Sequence, residues 1–193
     1  YRMVLWRRWP VTGVPPRLGS AAEYRRLVAA LVRAGAILDE RSAYWSVRPH
    51  ALYPTLEFRV TDACPRVRDA AAIAALARAV VVAAAHGAVA EPGGGRAPES
   101  VVHAALRENE WLATRDGLAA WLLDPALAGP PVPLRAAVDR LLDRVAPAAE
   151  ALGDGAALAR IERILARGSA ADRMRRARRR PGATFRRIVR WLA

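Results

Sequence analysis

The chain has 193 residues, of which 53% are hydrophobic, and its formal net charge is +13 at pH 7. This length suffices for about one domain with its own core, and the apolar content excludes intrinsic disorder as the default state. All 31 basic residues are arginine, a bias typical of a GC-rich genome, so the positive charge alone does not indicate nucleic-acid binding.

The single cysteine, Cys64, excludes an internal disulfide and a cysteine-based metal cluster. We expect it to be a small buried side chain rather than a nucleophile, since its sequence neighbours offer no base. The longest apolar run, 70–85, contains Arg78 and is too short and too rich in alanine to span a membrane. The sequence shows no signal peptide, although an absent N-terminal segment would hide one, and the cytoplasm is the simplest compartment.

The first 65 residues predict a small sheet with one helix. A loop rich in Trp, Arg and Pro occupies 1–18 and includes a short strand over 3–6. Ser20 and Glu23 have the spacing of a capping box, which begins a helix that ends near Gly35. Strands are predicted over 43–48 and 54–62, and the Pro-bounded turn between them favours an antiparallel hairpin.

The strand over 54–62 alternates strictly between apolar and polar side chains. We expect Leu56, Phe58 and Val60 to face a core, so that the opposite face presents Glu57 and Arg59 together. Glu57 offers the hard oxygen ligand that a divalent cation prefers, and Arg59 offers a planar fork that suits phosphate. The alternative for the same pattern is a cross-strand ion pair on a solvated sheet face.

Arg48 lies on the preceding strand, where Pro49 favours an extended backbone. If the register of the hairpin allows, its side chain joins Glu57 and Arg59 on the polar face. Its guanidinium is then a candidate for binding a substrate carboxylate or a nucleotide phosphate, and a structural ion pair is the alternative.

Residues 66–193 predict a helical part. A long apolar helix over 66–86 is followed by a Gly- and Pro-rich linker over 91–98, which lacks the Lys-Ser/Thr of a phosphate-binding loop. Five further helices are predicted over 99–115, 117–124, 133–152, 155–167 and 169–190. The fold class is therefore α+β, with a short antiparallel hairpin followed by a helical C-terminal part.

Nine arginines lie between 173 and 190, where the pattern predicts an amphipathic helix. A solvated helix with a basic face, contact with RNA or DNA, and contact with an anionic membrane all remain open for this segment. The sequence contains no zinc-finger, RNA-recognition or helix-turn-helix signature that would support the second option.

Several segments resemble one enzyme family. Residues 44–62, with Val-Arg-Pro-His followed by Pro-Thr-Leu-Glu-Phe-Arg-Val-Thr-Asp, resemble the signature of carboxylate-amine ligases related to glutamate–cysteine ligase type 2, of the glutamine synthetase-like superfamily. Residues 9–16 are similar to the family's P-T-x-G-x-P-P loop, and 108–118 to its E-N-x-W-x-A-x-R-x-G-L helix. The resemblance covers nearly the whole chain, which corresponds to the C-terminal portion of one catalytic domain.

Within that portion, 1–65 is the sheet-bearing part and 66–193 the helical part. Family members also carry an N-terminal half, whose Glu-x-Glu strand supplies other metal ligands and which this sequence lacks. The resemblance therefore implies that this chain alone is incomplete.

The resemblance implies an ATP-dependent ligase. The γ-phosphoryl of ATP would pass to the side-chain carboxylate of glutamate or a related acid, and an amine such as cysteine would then displace phosphate and form an amide. Glu57 would bind Mg²⁺, Arg59 and Arg48 would act in catalysis and nucleotide binding, and His50 would approach the nucleotide.

The partners implied are small-molecule substrates and a second copy in a homodimer, with no nucleic acid and no membrane. A noncatalytic Arg-rich module that binds polyanions, and an inactive ligase fragment, are the alternatives.

Overall fold

The computed structural model describes residues 2–89, 97–180, 182 and 184–192, with backbone alone at 188, 191 and 192. The helices of this described part are α1 (Arg2–Trp6), α2 (Ala21–Arg33), α3 (Val67–Ala85), α4 (Glu99–Asp116), α5 (Leu134–Ala151), α6 (Gly155–Arg167), α7 (Ala170–Arg178) and α8 (Phe185–Leu192). Its strands are β1 (Thr12–Gly13), β2 (Tyr44–Trp45), β3 (Val47–Pro49), β4 (Leu56–Phe58), β5 (Trp121–Leu122) and β6 (Val132–Pro133). The fold is α+β with a helical C-terminal part, as predicted.

The first of two compact units comprises Tyr1–Asp62, Pro92–Arg115 and Leu122–Pro131. Helix α2 begins where the sequence indicates, because the Ser20 hydroxyl accepts a hydrogen bond from the Glu23 N–H at 3.1 Å. The Glu23 carboxylate accepts from the Gly19 N–H at 2.8 Å, so the reciprocal bond is made to the residue before the cap. The small core of this unit consists of Val28, Ile37, Ala43 and Trp45.

The predicted hairpin is confirmed. Strands β3 and β4 pair antiparallel, and Arg48 lies directly opposite Glu57. The expected strand over 43–48 is interrupted at Ser46, whose N–H donates to the Gly13 carbonyl at 2.7 Å and whose carbonyl accepts from the Arg59 N–H at 2.8 Å. Since β2 pairs in parallel with β1, Ser46 joins the two small sheets of this unit.

Two expectations for this unit are wrong. Residues 3–6 belong to helix α1 rather than to a strand, because so short an apolar run fits either period and the helix lets Trp6 pack edge-on against Tyr44. The side chains of Leu56, Phe58 and Val60 are 48%, 40% and 45% exposed, so no core covers them within the described residues. A ladder of two three-residue strands is too small to form a layered core on its own.

The second unit comprises Ala63–Glu91, Asp116–Trp121 and Val132–Ala193. Helix α3 confirms the prediction over 66–86, but only one of its faces is buried. Small alanine side chains on that face let α5 and α6 approach closely. The core residues are Ala72, Ala79, Ala83, Leu142, Val145, Ala149, Leu158 and Ile161.

The structure differs from the remaining helix predictions at two places. Instead of a helix over 117–124, a single 3₁₀ turn over Gly117–Ala119 precedes β5, and Gly117 has φ +60°. The helix predicted over 169–190 is divided into α7 and α8, since Pro181 has no N–H to donate and Gly182 has φ +69°. Residues 91–96 of the predicted linker lie outside the described residues, and Cys64 is partly rather than fully buried. Among the helices described, none combines the length and the apolar character that a membrane crossing requires.

Candidate functional site

The hairpin brings together three of the four candidate site residues. The Glu57 carboxylate accepts hydrogen bonds from both arginines: Oε2 from Arg48 Nε at 2.9 Å and Oε1 from Arg59 Nη1 at 2.5 Å. Arg48 Nη2 also lies 2.8 Å from Oε2, as part of the same ion pair. The prediction that these side chains share one face is therefore confirmed. We call this group the Arg-Glu-Arg triad.

The triad carries one surplus positive charge. Burial by itself raises the pKa of Glu57, but hydrogen bonds from Arg48 and Arg59 outweigh it and hold that pKa below its ordinary value. The carboxylate is thus ionised at neutral pH and compensates one of two guanidinium charges. An anion that approaches the triad meets a net attraction.

The two guanidinium groups of the triad are not equivalent. Besides its bonds to Glu57, Arg48 donates through Nη1 to the carbonyls of Arg41 and Ala43, the latter at 2.7 Å. These hydrogen bonds occupy three of its five N–H donors, Nη2 faces the same carboxylate, and its side chain is only 10% exposed. Arg48 therefore mainly anchors the hairpin, which leaves Arg59 as the better placed group for an incoming anion.

The fit of the site to Mg²⁺ is partial. Oε2 of Glu57 accepts from Arg48 Nε and also lies beside Arg48 Nη2, whereas Oε1 accepts one hydrogen bond, from Arg59, so Oε1 keeps a lone pair for a metal ion. The described residues contain no group of three or more His, Cys, Asp or Glu that could hold a metal ion. Glu57 thus fits as one ligand, and the remaining ligands would have to be supplied from outside these residues.

His50 lies in the turn of the hairpin. Its Nδ1 accepts from the N–H groups of Leu52 and Tyr53 at 3.1 and 3.2 Å, and its ring packs against the Tyr53 ring at 4.9 Å between centroids. These contacts stabilise the turn. A role of His50 toward a nucleotide stays a prediction.

A second carboxylate near this hairpin, that of Glu110 on α4, was not predicted from the sequence pattern. Its Oε1 accepts from the Ser46 hydroxyl at 2.7 Å, and its Oε2 accepts from Arg7 Nη2 at 2.8 Å. Glu110 thereby ties the interruption between β2 and β3 to the segment after α1. Its position inside the 108–118 motif was the available signal, but the 64-residue separation from Ser46 hid the contact.

Asn109, the neighbour of Glu110, holds the residue that follows β5. Its amide donates to the Leu123 carbonyl at 2.9 Å and accepts from the Leu123 N–H at 2.7 Å. The guanidinium carbon of Arg7 lies over the Trp111 ring, 5.9 Å from its centroid. The 108–118 helix therefore organises the surroundings of the hairpin through several side chains.

Comparisons with known proteins agree on one family. The family described as "Glutamate-cysteine ligase family 2 (GCS2)" matches residues 1–190. The chain is 44% identical over 184 residues to a protein of Frankia alni provisionally named glutamate–cysteine ligase 2-2, a match that covers 94% of this chain and 46% of that protein.

Two further relatives have similar names and similar coverage. A protein of Nocardia farcinica provisionally named glutamate–cysteine ligase 2-1 is 41% identical over 178 residues, with coverage of 92% and 45%. One of Salinispora tropica, provisionally named glutamate–cysteine ligase 2, is 39% identical over 194 residues, with coverage of 100% and 50%. The chain spans about half the length of these curated relatives.

Proposed function

The chain belongs to the glutamate–cysteine ligase family 2, and from that premise we propose that it forms one wall of the active site of an ATP-dependent carboxylate-amine ligase. The observation that carries the proposal is the Arg-Glu-Arg triad. A paired carboxylate whose Oε1 keeps a lone pair, beside a guanidinium that can reach an anion, suits a triphosphate with its metal ion.

The proposed reaction has two steps. An oxygen of the substrate carboxylate attacks the γ-phosphorus of ATP, the bond to the β-phosphate oxygen breaks, and ADP leaves with that electron pair. The amine nitrogen of the second substrate then attacks the acyl carbon, the bond from that carbon to the phosphate oxygen breaks, and the nitrogen loses a proton. Glutamate and cysteine are the proposed substrates, on the family's name alone.

Each residue of the triad has a distinct role in this proposal. Arg59 donates to the γ-phosphoryl group, where a fixed donor stabilises the charge that spreads over the equatorial oxygens in the transition state. Glu57 holds Arg59 in place and would offer Oε1 as one ligand of Mg²⁺, which would neutralise phosphate charge. Arg48 holds Glu57 from the opposite strand and keeps the hairpin in register.

The test is an ADP-release assay on the complete product of the gene, read from the DNA that includes the codon for Tyr1. We expect ADP release that depends on Mg²⁺ and on both glutamate and cysteine. Glu57→Gln and Arg59→Ala should each lower turnover about a hundredfold or more, the range for a lost transition-state donor. Arg26→Ala, which removes an exposed guanidinium from α2, is the matched control and should leave turnover unchanged.

Near-normal turnover in either triad variant would remove that residue from the active site. ADP release with other acid and amine pairs, but not with glutamate and cysteine, would keep the ligase and reject the substrates.

A second candidate function has one observation in its favour. In the described part of the chain, α7 and α8 flank an open cleft of about 430 Å³, lined by Met174, Arg175, Arg178, Arg179 and Phe185. Three guanidinium groups beside an aromatic ring suit a polyanion. Absence of ADP release, together with oligonucleotide binding that weakens steeply as salt rises, would favour this polyanion-binding module over the ligase.

A further inference from the structure

We propose that Trp6 and Tyr44 are positioning residues, whose rings hold the adjacent Arg59 guanidinium in the orientation needed to receive an anion. The consequence for catalysis rests on the proposed ligase function. The positioning itself does not, because it can be measured on the chain without any turnover.

The geometry around Arg59 carries this inference. Its guanidinium carbon lies 5.1 Å from the centroid of the Trp6 ring and 5.5 Å from that of the Tyr44 ring. Both distances are within the range of about 6 Å at which a cation is attracted to an aromatic face. The two rings themselves meet edge-on, with centroids 5.4 Å apart and planes at 67°. Arg59 therefore sits beside a preformed aromatic corner.

The Nε atom of Arg59 gives independent support. It is buried and has no hydrogen-bond partner among the described residues. A buried N–H without an acceptor is costly, and an aromatic face is the weak acceptor that can offset part of this cost. Contact with Trp6 and Tyr44 explains how the side chain tolerates this position.

A single bond to Glu57 would not orient Arg59 by itself. That bond involves one Nη atom, and the guanidinium plane could still turn about it. Arginine has a long side chain with many rotamers, and its planar fork recognises phosphate only when its plane is set. The two rings supply this second restraint.

The aromatic corner is itself tied to the sheet. Trp6 Nε1 donates to the Tyr44 carbonyl at 3.4 Å, and Tyr44 belongs to β2. Trp9 also contacts the Tyr44 ring, at 6.4 Å between centroids, but Trp9 is 61% exposed. Among the described residues, the rings in contact with the Arg59 guanidinium are those of Trp6 and Tyr44. Trp9 is therefore a natural control.

The first readout is nuclear magnetic resonance of the arginine Nε–H groups in this chain, with sodium tripolyphosphate as the probe. We expect the Arg59 Nε–H signal to be displaced by the ring currents and to shift further as tripolyphosphate binds. In Trp6→Leu and Tyr44→Leu that displacement should be lost and affinity should fall about tenfold, as expected for a desolvated cation–π contact. Trp6→Phe and Tyr44→Phe should keep most of the signal displacement and most of the affinity for tripolyphosphate. Trp9→Leu should change neither the displacement nor the affinity.

The second readout is kcat/KM for ATP in the complete gene product, which should fall about tenfold in the leucine variants and recover in the phenylalanine variants. If Trp6→Leu and Tyr44→Leu keep the displaced signal and wild-type affinity, or if Trp9→Leu loses as much, the inference is wrong. If a leucine variant does not fold, Trp6→Phe decides, because a benzene ring has a smaller ring current than an indole. The displacement of the Arg59 signal should then be reduced but not lost, and an unchanged signal would overturn the inference.

The two proposals fail in different ways. A displaced Arg59 signal that depends on Trp6, in a protein without ligase activity, would retain the positioning and reject the function. Ligase activity that depends on Arg59 but not on Trp6 or Tyr44 would retain the function and reject the positioning.

Discussion

Replacement of Asp69 by asparagine should destabilise the second unit severely. Asp69 lies on α3 and is 4% exposed. Its Oδ1 accepts from Arg160 Nε at 2.9 Å and lies 2.8 Å from Arg160 Nη2, and its Oδ2 accepts from Arg173 Nη2 at 3.0 Å. Because Arg160 belongs to α6 and Arg173 to α7, one buried carboxylate connects three helices.

The size of the effect follows from what the variant leaves behind. Asparagine keeps the shape, but its amide nitrogen is a donor that would face a guanidinium donor. The side chains of Arg160 and Arg173 are each only 11% exposed, so neither gains a full water shell in exchange. Breaking a buried ion pair by removing one partner costs about 3–5 kcal/mol. We expect about 3 kcal/mol for Asp69→Asn, since the amide oxygen can still accept from one arginine.

The stability that Asp69 contributes should depend on pH with a defined sign. Burial alone raises the pKa of Asp69, but hydrogen bonds from Arg160 and Arg173 outweigh it, so the pKa lies below its ordinary value in the folded chain. The ionised carboxylate therefore contributes stability above the pKa of the unfolded state, and that contribution is lost as pH falls through the folded pKa. The difference between wild type and Asp69→Asn should be complete at pH 7 and should shrink below about pH 4.

The assay is urea unfolding of the chain followed by circular dichroism, at pH 7 and at decreasing pH. Asp139→Asn is the control. Asp139 pairs with Arg135 at 3.2 Å, both side chains are about half exposed, and the pair should contribute less than about 0.5 kcal/mol to the free energy of unfolding. A loss below about 1 kcal/mol for Asp69→Asn at unchanged m-value would refute the reasoning, as would a loss equal to that of the control.

Two smaller predictions concern the first unit. Gly13→Ala should lower the free energy of unfolding by about 1 kcal/mol or more, measured as a lower Tm. The reason is that Gly13 has φ +82° and that a Cβ there would lie 3.1 Å from Glu110 Oε2. An unchanged Tm would mean that the backbone relaxes without strain. Asn109→Ala should lower the free energy of unfolding in urea by about 1–3 kcal/mol, since it removes both hydrogen bonds of the Leu123 backbone to the Asn109 amide. A change near zero would show that water replaces these bonds.

Local patterns in the sequence predicted much of the fold correctly. The N-cap of α2, the extent of α3 and the register-dependent meeting of Arg48 with Glu57 all depend on residues close together in the chain. Hydrogen bonds in a helix or a short hairpin join near neighbours, so periodicity and capping residues specify them. For the same reason, strand alternation was enough to predict the polar face with Glu57 and Arg59.

The two clearest failures have different causes, one local and one tertiary. A helix over 117–124 was expected from composition, but Gly117 takes a left-handed conformation and the chain turns into β5. The apolar alternation of β4 predicted a buried face, yet alternation reports only that such a face exists. Whether another element covers it depends on residues far away in sequence.

Most of the helices, the hairpin and the residue types on its polar face thus follow from the sequence alone. The groups that meet across long sequence separations, at the hairpin and in the core, are set by packing. Trp6 and Tyr44 reach Arg59, Glu110 reaches Ser46 across 64 residues, and Arg173 reaches Asp69 across 104. These contacts have no periodic signature, because they form only when packing brings the helices and strands together and burial makes an unpaired charge costly.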